Sequence, residues 1–167
     1  YYEYPGGSHW FGNESVDWPP LFDYFRWHTL KRDSAVDNID FVTANPGISS
    51  RHRWASVIQQ QQPLAYSKIK LARDKKSATI TGTTENVAMV KLELDPFSQG
   101  DTISISLDSN AFHYVVGQER EVLFANSSGW QVVEKIDPGH KNHRRSGTFK
   151  EAFNHRMIFV YGTKGNA

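Results

Sequence analysis

The sequence predicts a mainly β protein: an antiparallel β-sandwich of the immunoglobulin/fibronectin type, preceded by a loop and one amphipathic helix. Three observations lead there. From Ile39 onward apolar and polar residues alternate with period two in one short run after another, as in Ile103, Ile105 and Leu107 against Ser104 and Ser106. These runs recur at a spacing of roughly 8–12 residues. Between them stand turn signals such as Asn45-Pro46-Gly47 and Asn126-Ser127-Ser128-Gly129. Only residues 19–32 carry a clear helical period.

Taken in order, residues 2–4 read as a strand end and residues 5–15 as a loop. Asp17 is the expected N-cap, with Pro19 and Pro20 in the first turn, where a missing N–H costs nothing. Leu21, Phe22, Tyr24, Phe25, Trp27, His28 and Leu30 then form an apolar stripe, and Lys31 and Arg32 suit the negative end of the helix dipole. Residues 1–32 are therefore set apart from a linker at 33–38, a sandwich over 39–162 and a tail at 163–167. Within the sandwich, strands are expected at 40–44, 54–59, 66–73 and 78–81, where Gly82 interrupts. Further strands are expected at 86–94, 103–107, 112–116, 121–124 and 130–135. Residues 137–147 read as a polar, basic loop, 148–154 as one helical turn, and 156–162 as a last apolar strand.

At 167 residues the chain holds one ordinary domain, or a small domain with an appendage. Its 19 Lys and Arg against 18 Asp and Glu leave a formal charge of +1, which argues against electrostatic capture by nucleic acid or an anionic membrane. No stretch approaches the roughly 20 apolar residues that span a bilayer. The absence of Cys removes disulfides, a thiolate nucleophile and Cys-based zinc sites. Tyr1-Tyr2-Glu3-Tyr4 begins like mid-strand, without initiator Met or a signal-peptide pattern, and the far end stops just past an apolar run. The chain is thus expected to be part of a longer one.

The chemistry-bearing motif is Tyr4-Pro5-Gly6-Gly7-Ser8-His9-Trp10-Phe11-Gly12: a histidine on a Gly-rich loop between an aromatic strand and a helix. Gly6 and Gly7 permit backbone angles closed to other residues, and the helix behind fixes where the loop sits. In α/β serine hydrolases the order is nucleophile, acid, histidine, with the histidine on a loop that reaches the nucleophile. The plain alternative is a solvent-exposed loop histidine.

The stretch 4–25, with its Gly-Gly-Ser-His-Trp-Phe-Gly-Asn and Asp-Trp-Pro-Pro-Leu-Phe-Asp, resembles the catalytic-histidine end of prolyl-oligopeptidase-like α/β-hydrolases. The likeness is strongest to the large secreted multidomain members of environmental and gut bacteria, and it covers about a fifth of the chain. Residues 147–154, running into 159–163, are similar to the region that follows the hydrolase domain in such proteins. The resemblance implies that His9 is the catalytic histidine and that 1–32 is the end of a hydrolase domain. It also implies a secreted or periplasmic location, a peptide or ester substrate, no cofactor, and the remainder of the parent hydrolase chain as partner. No Ser here has Gly at both two-residue offsets, so nucleophile and acid would lie upstream of Tyr1, and these residues alone would not be catalytically competent.

Other candidates carry less. His140 and His143 with Asp137 suggest a metal, but Lys141, Arg144 and Arg145 oppose a dication, so a solvated loop is expected. Asp95, Asp101 and Asp108 sit at strand ends and match no EF-hand spacing, which makes them turn formers rather than calcium ligands. Trp54 and Trp130 would be the stacking platform of a non-catalytic carbohydrate-binding module, yet both begin apolar strands, which favours the core. Lys150, Glu151, Asn154, His155 and Arg156 would face a neighbouring domain. The aromatic face of the 19–32 helix is expected to pack on the sandwich or to drive self-association.

Overall fold

Residues 67–74 alternate between core and solvent, with Ser67, Ile69, Leu71 and Arg73 buried and Lys68, Lys70 and Asp74 exposed, and this two-residue period is what makes the segment a strand. The computed structural model describes residues 5–9, 12, 18–138, 149, 153 and 156–162. The chain divides between Arg32 and Asp33 into two units.

In the first unit a helix, α1, spans Pro19–Trp27, with the prolines at its first two positions and none of its residues buried. Trp18, not Asp17, occupies the N-cap and makes no side-chain capping bond. The helix also stops short of the expected Arg32. His28 takes an extended conformation, and its Nδ1–H donates to the Tyr24 carbonyl at 2.7 Å while its ring stacks on Tyr24. That carbonyl is the acceptor the next helical amide would have used, so the ring ends the helix.

The second unit is mainly β. Its strands are β1 (Asn38–Thr43), β2 (Arg51–His52), β3 (Ala55–Gln59), β4 (Ser67–Asp74), β5 (Thr79–Glu85), β6 (Met89–Glu93), β7 (Thr102–Leu107), β8 (Asn110–Val115), β9 (Glu121–Asn126) and β10 (Trp130–Val133). They form two five-stranded sheets: sheet A in the order β1-β4-β5-β7-β8 and sheet B in the order β10-β9-β6-β3-β2. Neighbours are antiparallel except β5 and β7. The exception follows from the path: after β5 the chain adds β6 to sheet B and returns as β7 beside β5, running the same way.

The inner residues of both sheets share one cluster, with Ile69, Ile80 and Ile105 from sheet A and Val57, Leu92 and Phe124 from sheet B. Phe112 and Tyr114 of β8 meet Phe124 of β9 at ring distances of 5.4 and 6.3 Å, and Phe41 of β1 stacks on His52 of β2. The arrangement is sandwich-like. Its cohesion comes from these apolar contacts, since the exposed cross-strand ion pairs Lys68–Glu85 and Lys91–Glu121 are each worth only about 0–1 kcal/mol.

Three expectations change. Gly82 lies inside β5, opposite Leu71, and does not interrupt it. A Cβ there would collide with the Lys70 carbonyl oxygen and Leu71 Cδ2, so glycine marks a close approach of neighbouring chains. Residues 156–162 form no strand: Met157 to Tyr161 are exposed and pair with none of the described strands. Apolar content alone does not make a strand whose backbone groups lack a neighbour. The segment 33–38, expected to be a linker, instead holds a 3₁₀ turn at Asp33–Ala35 and the start of β1, both tied to the β unit as described below.

Two tests follow from these contacts. Gly82→Ala is expected to lower the unfolding free energy by about 2 kcal/mol or more in urea titration, because the collision outweighs the roughly 0.5–1 kcal/mol that Ala ordinarily gains over Gly within a strand. An unchanged midpoint contradicts the close approach. In the β4–β5 turn the Asp74 carboxyl lies below its ordinary 3.8, held first by the Lys76 N–H and then by the Ser77 hydroxyl. The carboxylate braces the turn, so its contribution is complete above pH 3.8 and is lost as pH falls through the lowered folded value. An NMR titration of Asp74 should give a midpoint below 3.8, raised in Ser77→Ala; a midpoint at or above 3.8 contradicts this.

Candidate functional site

His9 is exposed on a bend that follows the turn at Pro5 and Gly6. The loop uses its glycines in the expected way at Gly6, whose φ is +80°, and again at Gly12, whose φ is +68°; a side chain at either would be strained though not crowded. Gly7 does not take such an angle. Trp10 and Asp17 lie outside the described residues.

Trp54 and Trp130 are both buried. Trp54 packs under the guanidinium of Arg73, 4.7 Å from its ring centroid. The Trp130 indole N–H donates to Asp108 Oδ2 at 2.8 Å, and its backbone N–H donates to Asn110 Oδ1. Neither ring is a surface for a ligand to stack on.

Asp101 and Asp108 hold turns through their carboxylates, and Asp95 takes part through its main-chain carbonyl. Asp108, with φ +54°, accepts from the Thr84 N–H and hydroxyl as well as from Trp130, joining the β7–β8 turn to β5 and to sheet B. Asp101 accepts from the Ser98 N–H within the turn before β7. The Asp95 carbonyl, with those of Leu94 and Phe97, accepts from Arg120 Nη2. Among the described residues no group of three His, Cys, Asp or Glu is arranged to hold a metal. His140, Lys141, His143, Arg144 and Arg145 lie outside the described residues, as do Lys150, Glu151, Asn154 and His155, while Arg156 is exposed.

Arg73 escaped the sequence reading. It is buried, donates to the Asp33 carbonyl at 2.7 Å, and sets Nε 3.5 Å from Asp37. Burial lowers its pKa, while Asp37, Asp95 and Asp33 act in the opposite sense. Asp33 also receives Arg51 at 3.0 Å and Arg53 at 3.3 Å, and Arg51 reaches on to Glu93 at 2.9 Å. The signal was present: Arg73 shares the strand parity of the core residues Ile69 and Leu71. The glutamines are structural too, with Gln60 Nε2 donating to the Ala65 carbonyl and Ser67 Oγ, and Gln59 Nε2 to the Asp137 carbonyl.

No known protein family, curated protein or solved structure matches this chain. Among the described residues no helix is long and apolar enough to cross a membrane.

Proposed function

We infer that the chain is the C-terminal portion of a secreted or periplasmic serine hydrolase, a peptidase or esterase, and that His9 is its catalytic histidine. The observation that carries the reading is the exposed His9 on its Gly6–Gly12 loop ahead of α1. In the intact protein His9 Nε2 would take the nucleophile's proton and return it to the leaving group, acting as base and then acid. The serine and its acid come from the preceding part of the chain. The β unit, an immunoglobulin/fibronectin-like sandwich on this reading, braces the hydrolase domain or shapes access to its active site. A carbohydrate-binding module built on Trp54 and Trp130 is not retained, because both rings are in the core.

Labelling of the intact hydrolase with a fluorophosphonate tests the role of His9. The His9→Ala variant should lose labelling and turnover by about a thousandfold or more, as expected when a triad base is removed. Unchanged labelling and turnover would show that His9 is not the base.

The exposed ring face of α1 supports the same reading. Phe22, Tyr24, Phe25 and Trp27 are all more than half exposed, a face that a hydrolase sheet would cover. Without that cover, the 167-residue chain should self-associate in sedimentation velocity, and Phe25→Glu with Trp27→Glu should return it to a monomer. A monomer at every concentration contradicts this.

A further inference from the structure

We propose that residues 156–162 are a strap that closes as an extra edge strand, antiparallel to β10, on sheet B of the same chain. This inference is independent of the His9 reading. Sheet B ends at β10, and no described strand lies beyond it, so one row of its N–H and C=O groups is left without a strand partner. The core is open at the same edge. Val132 stands opposite Phe124, a fully buried core residue, and shares the parity of the buried Trp130, so it points inward; yet it is 47% exposed. Phe112 and Tyr114 of β8, the edge strand of sheet A that meets β9, are likewise only partly buried. The segment 156–162 has the complementary need. Its Ile158 is 89% exposed and its Val160 93%, and none of its residues pairs with a described strand.

Charge fixes the register. Pairing Arg156 with Glu134, just past the end of β10, sets Ile158 opposite Val132 and Val160 opposite Trp130. The two most exposed apolar residues of the segment then fall on the inward face, where they cover Val132. A slip of one residue either way sets Arg156 against Lys135 or Val133 and turns Ile158 and Val160 to solvent. A slip of two sets Arg156 against Ile136 or Val132, again without a carboxylate. Among the described residues neither Arg156 nor Glu134 makes an ion pair. The stretch 135–155 is long enough to turn back, since each residue spans up to about 3.3 Å and a neighbouring strand lies only about 4.8 Å away. Closure within one chain meets an effective concentration on the order of millimolar, which favours the chain's own edge over that of a second copy. The closed strap blunts an edge on which other chains would otherwise add strands.

The chain has no Cys, so an engineered disulfide in the full chain reports closure. Gln131→Cys with Phe159→Cys uses two directly opposed, outward-facing positions of this register, whose Cα separation a disulfide can bridge. Under mild oxidation the pair should form a crosslink within one chain about tenfold faster, or more, than Val42→Cys with Phe159→Cys, which asks the same strap to reach β1 at an edge of sheet A. Arg156→Glu should slow the crosslink about threefold, and adding Glu134→Arg should restore it, the scale of an opposed charge pair turned into a like one. Ile158→Asp with Val160→Asp should slow it about tenfold, because the inward face can no longer be buried. Thermal melting confirms that each variant is folded. Equal rates for the two cysteine pairs, a crosslink found only between chains, an unchanged rate in Arg156→Glu, or an unchanged rate in the aspartate pair would each overturn the proposal.

Discussion

A buried guanidinium ties the β unit together where the chain enters it. Arg73 belongs to sheet A, lies over Trp54 beside sheet B, and holds Asp33 and Asp37 of the entering segment. A buried charge is costly unless it is paired; Arg73 Nη2 is satisfied by the Asp33 carbonyl, Asp37 lies 3.5 Å from Nε as a largely exposed counter-charge, and Nε and Nη1 make no hydrogen bond. The cluster therefore couples the two sheets to residues 33–37, and Arg51 and Arg53 reinforce the same turn from sheet B and the residue beside it. At the other end of β5, Asp108 makes the corresponding link from sheet A to Trp130 of sheet B. Between these two ends the core is branched and aromatic.

This construction uses side chains of the kinds that bind ligands. Trp54 and Trp130 fill the core, Asp101 and Asp108 shape turns, and Gln59 and Gln60 satisfy backbone carbonyls. What the β unit presents instead on sheet A is an outer face of hydroxyls and opposed charges. The proposed chemistry resides in the other unit, in one histidine on a glycine-bearing loop. Such a division of labour is physically reasonable because loops can present a reactive side chain while a packed scaffold stays rigid.

The strands were the legible part of the fold, because half-buried strands write a two-residue period into the chain; 67–74 and 102–107 show it most clearly. Partners were not legible. Nothing local announces that β6 leaves sheet A and makes β5 and β7 parallel, or that two residues at 51–52 suffice for an edge strand. Gly82 was misread because a glycine that breaks a strand and one that admits a close neighbour look alike in sequence. The last turn of α1 was misread because its end is decided by one side chain, His28, competing for a backbone acceptor. Residues 156–162 have strand composition without a strand neighbour. At the candidate site the sequence pointed to His9 and to glycine-supported bending at Gly6, while Gly12 took the second left-handed position in place of Gly7. Residue type does not mark Arg73 as buried, since a guanidinium usually lies exposed; only its parity with Ile69 and Leu71 places it inside.

The central functional claim, that His9 completes a triad begun earlier in the same polypeptide, is tested most directly by sequencing the coding region immediately upstream of Tyr1. The account predicts an in-frame Gly-x-Ser-x-Gly elbow between a strand and a helix, followed by an acidic residue before Tyr1. An upstream reading frame without that elbow and acid would contradict it.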